Sequence, residues 1–276
     1  MEIHGNAVKV VKAWFSDASQ LGDIRPLAGN PEVFAKAFWH RGRPLGVGTV
    51  LLGAGFPCRE LSQVNQSRRG LDHGDTARFE EAKILFKALL EERQPKDPPL
   101  RVIFENVQSM PNESRDRITK ELREIDPNIE CVGIDAVHVS LARRPRYWWT
   151  NWYVQRFDDE LESTHKGVRH LAPCLEVPKA DEVLEDGYLP RWKDDGRFHT
   201  FTRCRPVKQE PSKPTGKATA SAEALERWAQ DSWRYSPYQY EDDLLVWKGD
   251  QWRCLNANER MAVSYTHLTL PTKRIV

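Results

Sequence analysis

Three short segments of the sequence carry residues that could perform covalent chemistry. Cys58 follows an apolar run interrupted by glycines, Glu105 follows a second apolar run, and Arg144 and Arg146 lie just before a third. A thiolate is a nucleophile, a carboxyl group can share a proton with a substrate, and guanidinium groups hold oxygen atoms. If the three runs are strands, these side chains meet at one edge of a sheet. The combination predicts nucleophilic catalysis, whereas Cys58 considered alone could equally be a buried core residue.

The elements that must position these residues alternate between strand and helix. The clearest is the helix 77–93, whose apolar residues recur at helical spacing. Such an alternation predicts an α/β fold with a mostly parallel sheet and helices on both faces. The predicted strands are 48–53, 100–104, 129–139 and 147–152, and the other predicted helices are 5–15 and 114–124.

Composition and charge exclude several classes of protein. The chain has 276 residues, of which 39% are hydrophobic and 29% charged. Its longest apolar stretch, 47–56, is far shorter than the ~20 residues of a membrane-spanning helix, and no secretory signal is recognisable. The five cysteines contain no Cys-x-x-Cys pair, which argues against a disulfide framework and against a structural zinc site.

The net charge of +1 conceals three local clusters of basic residues. Such patches can attract a polyanion even when the whole chain is nearly neutral, although they are also common on ordinary surfaces. They therefore permit nucleic-acid binding without requiring it. The clusters are Arg59 with Arg68 and Arg69, Arg143 with Arg144 and Arg146, and Arg203 with Arg205 and Lys208.

Beyond residue 152 the regular alternation ends. Residues 206–222 are rich in Pro, Lys, Ser and Thr, which predicts a disordered insert, and many aromatic residues follow it. We predict a catalytic domain over 1–152, a smaller irregular lobe over 153–252, and a return to the catalytic domain over 253–262. Residues 263–276 resemble a translated sequencing adaptor, so we expect a non-native tail there.

Six ordered segments resemble motifs of the DNA (cytosine-5) methyltransferases. FPCRELSQVNQSRRGL, FENV and ARRPRYWWTN are similar to that family's Pro-Cys, Glu-Asn-Val and Arg-x-Arg motifs, and the first is most similar to the animal de novo subfamily. The resemblance implies a Rossmann-like fold that binds S-adenosylmethionine, with the lobe reading the target sequence. The six segments are 56–71, 104–107, 142–151, 2–15, 21–27 and 253–261.

The resemblance also implies a catalytic role for each residue with which the analysis began. Cys58 attacks C6 of a cytosine that has been flipped out of the duplex, because C5 alone is a poor nucleophile. Glu105 hydrogen-bonds N3 and the exocyclic amine, which requires a proton on its carboxyl group. Arg144 and Arg146 hold the carbonyl of the base. The methyl group comes from S-adenosylmethionine, and loss of the C5 proton then releases Cys58.

Two further groups of residues follow from the same resemblance. Residues expected to bind the cofactor are Glu2, Asp23, Ile24, Pro57 and Asn106. Residues expected to contact double-stranded DNA, by entering a groove or neutralising phosphates, are Ser62, Gln63, Val64, Asn65, Arg68, Arg69, Arg203 and Arg205.

The sequence departs from the family at both ends. The glycine-rich first motif belongs before Glu2, and the final motif is also absent. We therefore expect a fragment that binds S-adenosylmethionine weakly. Two alternatives remain open: a catalytically inactive relative that binds DNA or a homologous methyltransferase subunit, and an RNA cytosine methyltransferase. For a eukaryotic source we expect the nucleus as the location.

Overall fold

The computed structural model describes residues 5–14, 16, 19–42, 48–63, 65, 67–136, 141–152, 180–191, 198, 220–260 and 263. Contacts divide the chain into two compact units, the first comprising residues 1–133 and 146–155 and the second 134–145 and 156–276. Among the described helices, none has the length and apolar character needed to cross a bilayer. The boundaries at 152, 252 and 262 remain a sequence-based prediction.

The larger sheet has four strands: β1 (Val50–Gly55), β2 (Leu100–Val107), β3 (Glu130–Asp135) and β4 (Pro145–Thr150). Their order is β1-β2-β4-β3, with β1 and β2 parallel and β2 and β4 antiparallel. β4 follows β3 after residues 136–144, a connection shorter than a parallel crossover requires. The predicted α/β class is confirmed, and the described sheet is mixed.

The first unit contains five described α-helices, of which α1, α4 and α5 were predicted from apolar spacing. They are α1 (Gly5–Trp14), α2 (Ile24–Ala28), α3 (Pro31–Ala37), α4 (Arg78–Glu91) and α5 (Asn112–Arg123). A π-helical turn (Phe38–Gly42) continues α3, and a 3₁₀ turn (Gly74–Ala77) precedes α4. α5 starts at Asn112, two residues before the start of the predicted helix 114–124, and Pro111 is its N-cap.

The core of this unit lies on one face of the sheet, with Phe104 of β2 at its centre. The ring of Phe104 lies 6.3 Å from Phe79 and 6.0 Å from Phe86, both on α4. Trp149 is directly opposite Phe104 on β4, so the two share a face, and its Nε1 donates to Thr119 Oγ1 of α5 at 2.8 Å. α4 and α5 therefore pack on this face. Side chains alternate along a strand, so Glu105 faces the other side.

The second unit has a small sheet and short helices. α6 (Ala180–Val183), β5 (Leu189–Pro190), α7 (Ala222–Gln230), β6 (Val246–Lys248) and β7 (Gln251–Arg253) are its elements, with the antiparallel order β5-β6-β7. Ser221 Oγ caps α7 by accepting from Ala224 N at 3.1 Å. Val263 is buried in this unit's core. Residues 206–219 of the predicted insert and 264–276 of the predicted tail lie outside the described residues.

Candidate active site

Cys58 begins a tight turn beyond the end of β1. Its carbonyl oxygen accepts from the backbone nitrogens of Leu61 at 2.9 Å and Ser62 at 2.8 Å. Leu61 is completely buried, so the turn is fastened to the core, whereas Cys58 itself is half-buried. The thiol is thus held on an ordered turn at the sheet edge where the sequence placed it.

Asn106 fixes the backbone on the other side of Cys58. Its Nδ2 donates to the carbonyl oxygen of Phe56 at 2.9 Å, and its Oδ1 accepts from Val107 N at 2.8 Å. Asn106 is only 1% exposed. The side chain therefore ties the segment entering the Cys58 turn to the end of β2, and its predicted cofactor contact remains a prediction.

Glu105 and Arg146 form an ion pair on the face of the sheet opposite α4. Arg146 Nε lies 2.7 Å from Glu105 Oε1, and both side chains are largely shielded from solvent. Glu105 Oε2 approaches β1, where Gly55 is its partner in the strand register. A carboxylate with one oxygen on a guanidinium and the other beside a glycine can accept a hydrogen bond from a substrate at the second oxygen.

Arg144 lies just before Arg146 and belongs to the second unit. Its backbone nitrogen donates to Asp135 Oδ1 at 2.6 Å, and its carbonyl accepts from Ala136 N at 3.4 Å. These bonds fix its backbone. Arg144's role in holding the base remains a prediction.

The described residues of the loop predicted to contact DNA form turns that are bonded to each other and to Ser109, two residues beyond β2. Asn65 Nδ2 donates to the carbonyl of Arg59 at 2.8 Å. Gln63 N donates to Ser109 Oγ at 3.3 Å, and Arg68 Nη1 donates to Ser109 O at 3.2 Å. The loop is therefore internally braced over its described residues.

Arg69, the second arginine of this loop, is held by a glutamate. Its Nε lies 3.4 Å from Glu60 Oε2, while 61% of its side chain remains exposed. The guanidinium is thus oriented by Glu60 and still open to solvent.

Asp23 and Ile24 lie at the start of α2. The Asp23 carboxylate accepts from the Arg25 guanidinium, through Nη2 and through Nε at 2.8 Å, and from Arg25 N at 3.0 Å. The guanidinium first, and the backbone bond second, lower the pKa of Asp23 to about 2. Ile24 packs half-buried against the core. Because Arg25 occupies both lone pairs of Oδ2 and one of Oδ1, the second lone pair of Oδ1 is the acceptor that could take the amine of an adenine, beside the apolar side chain of Ile24.

Several predicted site residues have no described surroundings. Glu2, Val64, Arg203 and Arg205 lie outside the described residues. Pro57 is described and exposed at the Cys58 turn. Among the described side chains, no group of three or more His, Cys, Asp or Glu residues is placed to hold a metal ion.

Two other cysteines are described, Cys131 and Cys254. Burial raises the pKa of Cys131 to about 11, and burial likewise raises the pKa of Cys254 to about 11. Both therefore remain thiols at neutral pH, and a thiol is a far weaker nucleophile than a thiolate.

Comparison with known proteins finds similar solved structures but no matching family. No model of a known protein family matches the chain. The methyltransferase EhMeth of Entamoeba histolytica is 13% identical with a TM-score of 0.41, over 96% of this chain and 76% of that one. The S. pombe Dnmt2 methyltransferase is also 13% identical with a TM-score of 0.42, over 99% of this chain and 90% of that one.

Gly55 and Glu60 belong to the site but were not singled out from the sequence. Gly55 matters because it lies opposite Glu105 in the register of two strands. Glu60 matters because residues nine and sixteen positions away come back to it. Knowing the register of β1 against β2 would have revealed the role of Gly55. No local sequence signal points to the role of Glu60.

Proposed function

We propose that this chain is the catalytic region of a cytosine C5 methyltransferase that acts on DNA. The observation that carries the proposal is the placement of Cys58 just beyond β1 and of the Glu105–Arg146 pair at the ends of β2 and β4. The motif resemblance supplies the reaction, and the geometry supplies neighbouring strands on which its residues can act together.

The proposed reaction begins with the thiolate of Cys58 adding to C6 of a flipped-out cytosine. The Glu105 side chain is 26% exposed, so a base can approach it. The carboxyl group, protonated when the base is bound, donates its proton to N3 as the thiolate adds to C6, and its other oxygen accepts from the exocyclic amine. Arg146 holds Glu105 through Oε1 and fixes the carboxylate for that contact. These bonds stabilise the charge that sulfur addition pushes into the ring.

S-adenosylmethionine, when bound, supplies the methyl group that C5 receives. Asp23 and Ile24 are the described residues that we propose to hold its adenine, the carboxylate accepting from the amine and Ile24 packing on the ring. Removal of the C5 proton then allows the bond from Cys58 to C6 to break.

The decisive experiment uses duplex DNA containing 5-fluorocytosine, together with millimolar S-adenosylmethionine. Fluorine cannot leave C5 as a proton does, so the bond between Cys58 and C6 persists and a denaturing gel shows a slower-moving adduct. Cys58→Ser should abolish the adduct, since a hydroxyl is a much weaker nucleophile than a thiolate. Glu105→Gln should keep DNA binding and slow adduct formation, because an amide cannot deliver a proton to N3.

Cys131→Ser and Cys254→Ser are the matched controls, since each removes a thiol of raised pKa, and both should leave the adduct intact. An adduct that survives Cys58→Ser would place the nucleophile elsewhere. RNA of the same sequence forming the adduct while DNA does not would overturn the DNA assignment. No adduct on either polymer would favour the inactive accessory protein.

A further inference from the structure

The residue two positions after Cys58 is a nearly buried carboxylate that the proposed reaction does not use. The side chain of Glu60 is only 9% exposed. Burying a carboxylate is unfavourable unless it is paired and hydrogen-bonded, so the partners of Glu60 indicate what it does.

Those partners come from the far end of the loop. Glu60 Oε2 accepts from the backbone nitrogen of Arg69 at 3.2 Å and from its Nε at 3.4 Å. The Glu60 carbonyl accepts from Gly70 N at 3.0 Å, and Glu60 N donates to Thr76 Oγ1 at 3.3 Å. Glu60 thus closes the loop 60–70 with its carboxylate and its carbonyl, while its backbone nitrogen ties this closure to Thr76 in the next helical turn.

The closure brings together two chain positions that each precede a buried leucine. Leu61 is completely buried and Leu71 is 4% exposed, and each directly follows a residue that the closure ties together. Both belong to the core cluster of the first unit. The described residues of the 62–69 loop therefore lie between two chain positions that are both fixed to the core.

The closure made by Glu60 also supports the Cys58 turn. Leu61 and Ser62, whose backbone nitrogens donate to the Cys58 carbonyl, directly follow Glu60. A displacement of Glu60 must therefore change the turn that carries the sulfur atom, as well as the loop.

We propose that Glu60 is a positioning residue, whose ionic closure with Arg69 sets the Cys58 turn and the 62–69 loop in one fixed arrangement. The catalytic meaning of this arrangement rests on the function proposed above. The closure itself is a property of the folded chain and can be tested without DNA or cofactor.

The test removes the charge and measures backbone opening and thiol reactivity. In Glu60→Gln, the amide hydrogens of Arg69 and Gly70 should exchange with deuterium about tenfold faster or more, because a charge-assisted pair is lost. The rate of Cys58 alkylation by iodoacetamide, read by peptide mass spectrometry, should change at least threefold. The melting temperature should stay close to that of the original protein.

Two further variants separate positioning from general destabilisation. Glu60→Asp keeps the negative charge on a shorter side chain, and the exposed Arg69 side chain can move to stay in contact with it. Glu60→Asp should therefore keep most of the amide-exchange protection of the original protein. Arg69→Gln removes the guanidinium of this pair and leaves the bond from the backbone nitrogen of residue 69 to Glu60 Oε2. It should therefore change both measurements in the same direction as Glu60→Gln, by a smaller factor, even if Glu60→Gln fails to fold. Combining the two Gln substitutions should add little to Glu60→Gln alone.

Glu113→Gln removes an exposed carboxylate from α5 and should change neither measurement. Unchanged amide exchange and unchanged Cys58 alkylation in Arg69→Gln and in folded Glu60→Gln would overturn the proposal. Because neither measurement requires methylation, a chain without methyltransferase activity could still confirm the closure, and an active chain could still refute it.

Discussion

Gly55, the last residue of β1, matters because it has no side chain. A Cβ atom added at Gly55 would lie 3.3 Å from Glu105 Oε2, closer than most real contacts. The Glu105 carboxylate is the flexible end of a side chain, so it can move away from an added methyl group. It then leaves the position beside β1 in which Arg146 holds it. The free energy of unfolding should change little, while the geometry of the proposed site changes.

Gly55→Ala should therefore slow adduct formation with 5-fluorocytosine DNA about tenfold or more, because small displacements of a catalytic group are costly. The free energy of unfolding in urea should fall by no more than about 1 kcal/mol. Gly53→Ala is the control on the same strand face, where the added Cβ would lie 3.6 Å from Ile103 Cγ2, an ordinary contact. Equal adduct rates for the two variants would show that Glu105 tolerates displacement.

Residue-level prediction succeeded where type and order were sufficient. Cys58 and Glu105 were placed at strand ends from their positions after apolar runs, and the structure has them there. The contacts of Gly55 and Glu60 are made by residues distant in sequence, so local patterns could not reveal them. Roles such as proton donation by Glu105 remain predictions about chemistry.

At the scale of elements, charged side chains connect α4, α5 and the segment before them. Lys83 Nζ lies 2.5 Å from Glu121 Oε2 and 2.7 Å from Glu80 Oε2. Arg117 lies 2.6 Å from both Asp72 and Glu121. Burial alone would raise the pKa of Glu121, but its bonds to Lys83 and Arg117 hold that pKa below its ordinary value. A hydrogen bond from Arg117 lowers the pKa of Asp72.

A carboxylate whose pKa is lowered by folding stabilises the folded state above its unfolded pKa, and that stability is lost as the pH falls through the folded pKa. The free energy of unfolding should thus decrease from about pH 5 to about pH 3. In Lys83→Met the decrease should be shallower, because Glu121 loses a cation that favours its charged form. Lys87→Met, which removes an exposed lysine of the same helix, should leave the slope unchanged. Parallel curves for all three proteins in urea titrations would contradict this.

Element prediction was accurate for long periodic segments and poor for short ones. The stripe of apolar residues that predicts 77–93 gives α4, and the apolar runs give β1, β2 and β4. α2 and α3 were not predicted, because each is shorter than two full turns of apolar spacing and prolines interrupt the region. The strands β5, β6 and β7 have two or three residues each, too few to show an alternating pattern.

At the scale of the whole molecule, a net charge of +1 means that overall charge cannot attract a nucleic acid. Any affinity for phosphates must come from local patches such as the 62–69 loop. Arg69 is oriented by Glu60 with most of its side chain exposed, and Arg68 is braced on the carbonyl of Ser109. Both guanidinium groups are therefore oriented by contacts with the rest of the first unit.

Each phosphate contact releases condensed counterions, so the logarithm of the DNA association constant should fall linearly with the logarithm of salt concentration. Arg68→Gln and Arg69→Gln should each weaken binding to all sequences and reduce that slope by about 1. Lys87→Gln removes the same charge from an exposed position on α4 and should leave the slope unchanged, since the proposed contact is local to the loop. Fluorescence anisotropy over a range of salt concentrations measures all four proteins. If the two arginine variants keep the original slope, both residues are ordinary surface charge, and DNA must be bound by other residues.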